Sequence, residues 1–159
     1  MTNTQVAHDI IRDHQRACPV DVVTLDERLG LKVFADELPP GVSGQILKKP
    51  AYGSVSGYSI IVNSKEAQER QRFTVAHEIA HFILHRGKIG DGIQESALYR
   101  AVGFDNRQES EANNMAVDIL MPWHLLVPIV DAAPKTPADL AKIFGVSEVA
   151  MSIRLGLPT

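Results

Sequence analysis

The residues with the clearest chemical potential are His77, Glu78 and His81, an H-E-x-x-H pattern inside the apolar run of residues 73–84. On an α-helix, residues four apart differ by about 40° in rotation and by about 6 Å along the axis. The two imidazoles therefore point the same way and can bind one metal ion. Glu78 is rotated by about 100° from His77, so it stands beside the metal. A carboxylate there can act as general base in metal-assisted peptide hydrolysis.

The same pattern on a solvated helix could be a surface feature without a metal. Its apolar surroundings argue against that, because they predict a partly buried segment. Buried histidine and glutamate side chains are costly unless they have partners, and a metal ion would be one. The motif therefore predicts a metal site.

Two histidines leave such a site incomplete, since catalytic zinc usually has three protein ligands. One known arrangement puts a histidine six residues after the second and a glycine three after it, but those positions hold Gly87 and Leu84. His85, one turn beyond His81, is a fallback ligand. Three histidines in one helical line do not easily converge on one ion, so we expect a hydrogen-bonding role for His85.

A better third ligand is Glu109, which shares a helical face with Asn113 four residues later. Glu109 could complete the metal site, while Asn113 accepts the second ring N–H of a ligating histidine and orients it. Glu111 is rotated by about 200° from Glu109 and is expected to face elsewhere. The alternative is that Glu109 and Glu111 only decorate the start of a solvated helix, where acids suit the dipole.

The whole chain has 159 residues, 45% of them hydrophobic and 22% charged, which fits one globular domain. The net charge of −3 and a pI near 6.0 argue against a domain that holds nucleic acid electrostatically. The single cysteine, Cys18, gives no internal disulfide and fits a reducing cytoplasm. The N-terminus lacks the pattern of a secretory signal. The apolar stretch 119–130 is too short and too interrupted to cross a membrane.

The pattern of apolar residues and turn formers predicts a small antiparallel sheet followed by helices, an α+β order. The predicted helices cover residues 6–17, 21–29, 71–85, 109–120, 123–130, 138–144 and 147–155, and the predicted strands cover 31–35, 44–48 and 57–63. A separate helix start is expected at Ser64, and an irregular loop over 87–106. The expected organisation is one domain over 1–159, with N-terminal helices and sheet in 1–63, catalytic helices in 64–130 and C-terminal helices in 136–157.

With these residues in place, the chain resembles the ImmA/IrrE-type metallopeptidases, a zinc-peptidase family of bacteria and their mobile elements. The match rests on residues 70–85 and 109–122, which pair H-E-x-x-H with E-x-x-A-N, and on the closing segment 140–155. Weaker support comes from 19–22, 41–44 and the strand that ends at Asn63. The resemblance covers nearly the whole chain.

The resemblance implies a zincin-like helical core with the C-terminal helical pair behind it. It also implies Zn²⁺ held by His77, His81 and Glu109, with Glu78 as the base. Members of the family cut helix-turn-helix repressors of the Xre type and so induce stress-response or mobile-element genes. Others lie in toxin–antitoxin-like operons. The expected partner is thus a protein substrate, an Xre-family repressor or antitoxin, in the cytoplasm.

Two departures from the family pattern are visible. The block usually has an aromatic residue two positions after the asparagine, and here that residue is Met115, which changes packing rather than chemistry. Some relatives carry a further sensory domain after the peptidase domain. With Thr159 as the last residue, any trigger is expected to act on the catalytic domain or through a partner.

The C-terminal segment 140–155 has a helix-turn-helix rhythm, in which residues 147–154 would be the recognition helix. That helix carries one basic residue, Arg154, against one acid. Groove-reading helices usually have more positive charge, so packing against the catalytic helices is the favoured role and direct DNA binding is not expected.

Three points stay open at this level. The residue that stabilises the oxyanion formed during peptide hydrolysis could be Tyr58, Tyr99 or a histidine. The metal is expected in a cleft between the sheet and the two catalytic helices, with the strand at residues 60–63 as the edge of that cleft. The metal could be another divalent ion than zinc. The alternative function is non-proteolytic, a toxin-like or repressor-binding module whose metal site is structural or vestigial.

Overall fold

The computed structural model describes residues 3–90, 92–96 and 104–159, and within them helices outnumber strands. The helices are α1 Asn3–His14, α2 Val22–Arg28, α3 Gln68–Leu84, α4 Arg86–Ile89, α5 Asn106–Leu120, α6 Trp123–Ala132, α7 Pro137–Phe144 and α8 Glu148–Arg154. The strands are β1 Val33–Asp36, β2 Val42–Lys48, β3 Tyr58–Asn63 and β4 Gly92–Ser96, and a short 3-10 helix covers Pro50–Tyr52. The predicted α+β class is confirmed.

The sheet has the strand order β1-β3-β2-β4. The sequence predicted an antiparallel sheet, and this prediction was wrong because the observed sheet is mixed. β2 runs antiparallel to both β3 and β4, whereas β1 runs parallel to β3. The reason is topological, because β3 inserts between β1 and β2 and runs opposite to β2. Strand patterns in the sequence carry no information about this insertion.

The segment 87–106, expected to be an irregular loop, contains part of α4, all of β4 and the first residue of α5. The prediction was wrong because β4 is stabilised by pairing with β2, for example Ile46 with Ile93. That pairing joins residues far apart in the chain, and a local pattern with several glycines does not reveal it.

Helix α3 is one continuous helix, where the sequence predicted a start at Ser64 and a second helix from residue 71. Its N-cap is Ala67, with no side-chain cap hydrogen bond. The preceding residues form a turn held by Asn63, whose Oδ1 accepts from the Lys65 backbone N–H at 3.1 Å. Ser64 therefore belongs to the turn and does not cap a helix.

Helix α3 lies against β2 and β3 on one side and contacts α5 on another. Close approach to the sheet depends on Gly44 in β2, where a Cβ atom would meet Thr74 Cγ2 at 2.5 Å. All six residues of β3 are buried, as are the central residues 74–82 of α3. Since each buried aliphatic side chain contributes about 1.5–3 kcal/mol, this interface holds α3 rigidly in place.

Helices α7 and α8 form the predicted C-terminal pair. Thr136 and Asp139 make a capping box at the start of α7, and the Ser147 side chain caps α8. Gly145 joins the two helices at φ 64°. Arg72 of α3 donates to the backbone carbonyls of Gly145 and Val20, each at 2.9 Å, which ties the pair and the segment before α2 to α3.

Among the described residues, no single helix has both the length and the apolar composition needed to cross a membrane. Helices α5 and α6 meet these two criteria only when taken together, and the pair is bent by 50°.

Asp26 of α2 is an unusual core residue. It is fully buried, and neither carboxylate oxygen has a hydrogen-bond partner among the described residues. Burial, and then the adjacent charge of Glu27, raise the pKa of Asp26 to about 8. The carboxyl group is therefore mostly protonated in the folded protein at neutral pH, while the unfolded chain has lost that proton above about pH 4.

We expect Asp26→Asn to stabilise the protein progressively more as pH rises. Between about pH 4 and pH 8 the unfolded chain binds fewer protons at this position than the folded one, so the wild-type free energy of unfolding falls with pH by up to about 1.4 kcal/mol per unit. Asparagine removes this dependence. Urea unfolding of both proteins at pH 5 and pH 8 measures it, and a difference between the two proteins that does not change with pH would contradict it.

Candidate metal centre

His77 and His81 lie one turn apart on the buried face of α3. Their Nε2 atoms are 2.9 Å apart, and the two side chains are almost inaccessible, with residue exposures of 2% and 0%. The positions follow from the i, i+4 spacing and from the rigid packing of α3. The structure thus brings both imidazoles to one point inside the protein.

Glu109 reaches the same point from α5. The helix starts at Asp105, which forms a capping box with Gln108, so Glu109 lies in the first turn. Its Oε2 is 3.4 Å from His77 Nε2 and its Oε1 is 3.2 Å from His81 Nε2. The three residues predicted as ligands therefore form one buried cluster.

The donor set fits a metal ion. Ligand bonds of about 2.0–2.1 Å in a tetrahedral site place neighbouring ligand atoms about 3.3 Å apart, close to the 2.9, 3.2 and 3.4 Å found here. Glu109 Oε1 is buried without a hydrogen bond among the described residues, and a cation would satisfy it. Burial, and then the neighbouring His77 and His85, lower the pKa of His81 to about 3, so its ring is neutral, as ligation requires.

Asn113 lies where the sequence placed it. His77 Nδ1 is 2.9 Å from Asn113 Oδ1. An amide oxygen only accepts, so His77 Nδ1 carries the proton, and Nε2, which is close to His81 and Glu109, keeps its lone pair. This is the geometry expected of an outer partner that orients a ligating imidazole.

Aromatic rings enclose the two imidazoles. Phe104 stacks on His81 with ring centroids 3.9 Å apart and an interplanar angle of 6°, and Phe73 stacks on His77 at 6.4 Å. Neither residue was predicted from the sequence to belong to the site. Phe73 stands one helical turn before His77, which is a signal that could have identified it, but nothing local points to Phe104.

His85 and Glu111 also adjoin the cluster, as an outer pair. His85 Nδ1 is 3.1 Å from His81 Nδ1, and His85 Nε2 is 3.0 Å from Glu111 Oε2. The expected hydrogen-bonding role of His85 agrees with these contacts. Glu111 is not among the grouped ligands, but it does not face away from the site, because its side chain bends back to His85.

Glu78 follows His77 in α3 and is 1% exposed. It is not part of the His77–His81–Glu109 group, as its rotation on the helix predicts. The structure therefore places a buried carboxylate one residue from a candidate ligand.

Two expectations about the cleft are changed. β3 cannot be its edge, because β1 and β2 pair with both sides of β3; the outer strand next to β2 is β4. Tyr58 packs edge-to-face on Phe82 at 5.5 Å and lies 5.2 Å below the Arg86 guanidinium, so its ring contacts are with residues outside the cluster. Tyr99 lies outside the described residues.

An apolar groove of about 530 Å³ runs between α3, α5 and α8. Phe73 and Asn113 line it, and both contact His77. Val149 and Ile153 of α8 also line it and are 59% and 62% exposed. The groove is therefore bounded both by neighbours of His77 and by exposed apolar side chains.

Arg154, the basic residue of the possible recognition helix, contacts other residues of the same chain. Its Nε donates to the Met121 carbonyl at 3.0 Å, and another of its nitrogens is 2.9 Å from Asp118. The guanidinium also lies 4.4 Å from the centre of the Trp123 ring. These contacts support a packing role for α8.

Comparison with known proteins identifies a family. The family model described as the IrrE N-terminal-like domain matches residues 26–156. The radiation response metalloprotease IrrE of Deinococcus radiodurans is 34% identical over 99 residues, which are 60% of this chain and 29% of that protein. The protein of the same name from Deinococcus deserti is 32% identical over 99 residues, 60% of this chain and 34% of the relative. The matched region is thus about a third of each relative.

A solved structure shares the fold. A Mycobacterium tuberculosis transcriptional regulator superposes with a TM-score of 0.64 and 15% sequence identity, over 98% of this chain and 46% of that one. At this identity the likeness is evidence for the fold alone.

Proposed function

Because the chain belongs to the IrrE N-terminal-like metallopeptidase family, we propose that it is a zinc-dependent endopeptidase. The observation that carries the proposal is the meeting of His77, His81 and Glu109 in one buried group, with the family's base position occupied by Glu78. Two imidazoles and one carboxylate are a known ligand set of catalytic zinc. In this proposal Asn113 orients His77.

The chemistry divides between the ion and the protein. When bound, zinc would polarise the scissile carbonyl and lower the pKa of water toward neutrality. Glu78 takes the proton from the attacking water and passes it to the leaving amine. Phe104 stacks on His81 and Phe73 lies beside His77, and both imidazoles are almost fully buried, which strengthens the electrostatic interactions at the site.

We propose a protein substrate, an Xre-type repressor or antitoxin in the cytoplasm, whose cleavage would induce stress-response, mobile-element or toxin–antitoxin genes. Two observations support a protein over DNA. The groove beside His77 is apolar, and helix α8 exposes Val149 and Ile153 while Arg154 is used in packing. Apolar surface next to a hydrolytic site suits a polypeptide.

The test is direct cleavage. Zinc-loaded protein is incubated with the Xre-type repressor encoded nearest to its gene, and the products are identified by intact mass. We expect one cut that depends on zinc and stops with a chelator. A repressor that is bound but never cut would favour the alternative, a non-proteolytic binding module. Absence of both cleavage and repressor binding, together with a salt-dependent shift of DNA by the protein alone, would contradict both and favour direct DNA binding.

A further inference from the structure

A hydrogen-bonded path runs from the protein surface to the candidate metal ligand His81. Glu111, whose side chain is 40% exposed, contacts His85, and His85 contacts His81. His85 itself is 8% exposed, so the path crosses from the surface of α5 into the core. The first contact joins α5 to His85, the C-cap of α3, and the second lies within the C-terminal end of α3.

The proton positions along this path follow from one requirement. If His81 Nε2 binds a cation, its lone pair must be free, so the ring proton is on Nδ1. That N–H can donate only if His85 Nδ1 is an unprotonated acceptor. The proton of His85 is then on Nε2, which donates to the Glu111 carboxylate at 3.0 Å. Each N–H thus points outward, and each lone pair points toward the metal position.

We propose that His85 and Glu111 are positioning residues that set the tautomer and orientation of His81, with His85 transmitting the effect of the Glu111 charge. This rests on the zinc site of the proposed function. The two histidine ligands then differ in basicity. His77 is hydrogen-bonded to the neutral amide of Asn113, whereas His81 is hydrogen-bonded through His85 to the carboxylate of Glu111. A ligand polarised by a carboxylate is the more basic donor.

Arg107 provides an internal control. Its Nε donates to Glu111 Oε1 at 2.8 Å, whereas His85 uses Oε2. The Arg107 side chain is 86% exposed and does not contact His85. Arg107→Ala therefore removes a charged partner of Glu111 and leaves the path from Glu111 to His81 intact.

The experiment measures zinc affinity by competition with a chelator in a double-mutant cycle. We expect His85→Leu to weaken zinc binding by about 10–100-fold, the usual effect of losing an outer partner. Glu111→Ala should weaken it by a smaller factor, and Arg107→Ala should leave it within about twofold of wild type. Glu111→Ala added to His85→Leu should have no further effect, because the two residues act through one path.

A second readout separates positioning from packing. The asparagine amide can replace His85 Nδ1 and accept from His81, whereas the longer glutamine amide replaces Nε2 and reaches only Glu111. His85→Asn should therefore retain more zinc affinity than His85→Gln. Imidazole ¹⁵N NMR of the zinc-loaded protein should show a protonated Nδ1 on His81, and this N–H should exchange with water faster in His85→Leu, which lacks its acceptor.

Three results would overturn the proposal. One is wild-type zinc affinity in both Glu111→Ala and His85→Leu. Another is an equal effect of Glu111→Ala with and without His85, which would indicate a general effect of charge. The third is a wild-type protein that binds no zinc, which would also remove the proposed function; the first two results would leave that function standing.

Discussion

Replacing Glu78 by glutamine is expected to leave a folded protein that binds zinc as tightly as wild type and cleaves its substrate about 10²–10⁴ times more slowly. That factor is the usual contribution of a general acid–base residue. Glutamine keeps the size of the side chain and cannot accept the proton from water. Because Glu78 is buried but outside the ligand group, its replacement should not change zinc content. Cleavage rate and zinc per chain are measured on the same sample.

A matched control for the Glu78 variant is Glu27→Gln, which removes an exposed carboxylate on α2 and should cleave like wild type. Retained cleavage by Glu78→Gln would rule out the mechanism. A variant that loses zinc as well as activity would instead place Glu78 among the ligands or their supports.

The second large effect is expected for Glu109→Ala, which should abolish stable zinc binding. The substitution removes one of three ligands and leaves two histidines of the same helix, so the affinity loss should exceed the roughly 10–100-fold that an outer partner contributes. Zinc is measured by elemental analysis after reconstitution and removal of excess ion. Wild type should retain a single zinc ion per chain.

Asn113→Ala calibrates this measurement. It removes only the hydrogen bond to His77, so its zinc affinity should lie between those of wild type and Glu109→Ala. Equal zinc in Glu109→Ala and wild type would show that the third ligand is another residue. Absence of zinc from wild type would move the interpretation to the non-proteolytic binding module.

The local part of the site could be predicted from the sequence. The spacing of His77 and His81, and of Glu109 and Asn113, defines shared faces of two helices, and the structure brings these faces together. Helix periodicity depends only on residues that are close in sequence, so it can be predicted without knowing how the rest of the chain folds. Spacing alone left two possibilities for Glu109, a metal ligand or a residue of a solvated helix start, and the family resemblance favoured the ligand.

The features that were missed depend on contacts between distant parts of the chain. The parallel pairing of β1 with β3 and the presence of β4 are set by which strand lies beside which, and alternation of apolar residues is the same for either direction. Phe104, which stacks on His81, lies just before α5 and 23 residues further along the chain. Glu111 departs from its expected direction because a long side chain can bend toward a buried partner such as His85.

Arg72 has a consequence for how the protein opens. This residue of α3 donates to the carbonyls of Phe144 and Gly145 at the end of α7, and to that of Val20 before α2, so lifting α7 and α8 away would remove two of these three acceptors. Such a loss is costly for a charged donor. Local opening of the C-terminal pair is therefore coupled to opening of α3, and both should exchange their amide hydrogens as one cooperative unit. A partner that binds the exposed face of α8 would therefore also change the local opening of the helix that carries His77 and His81.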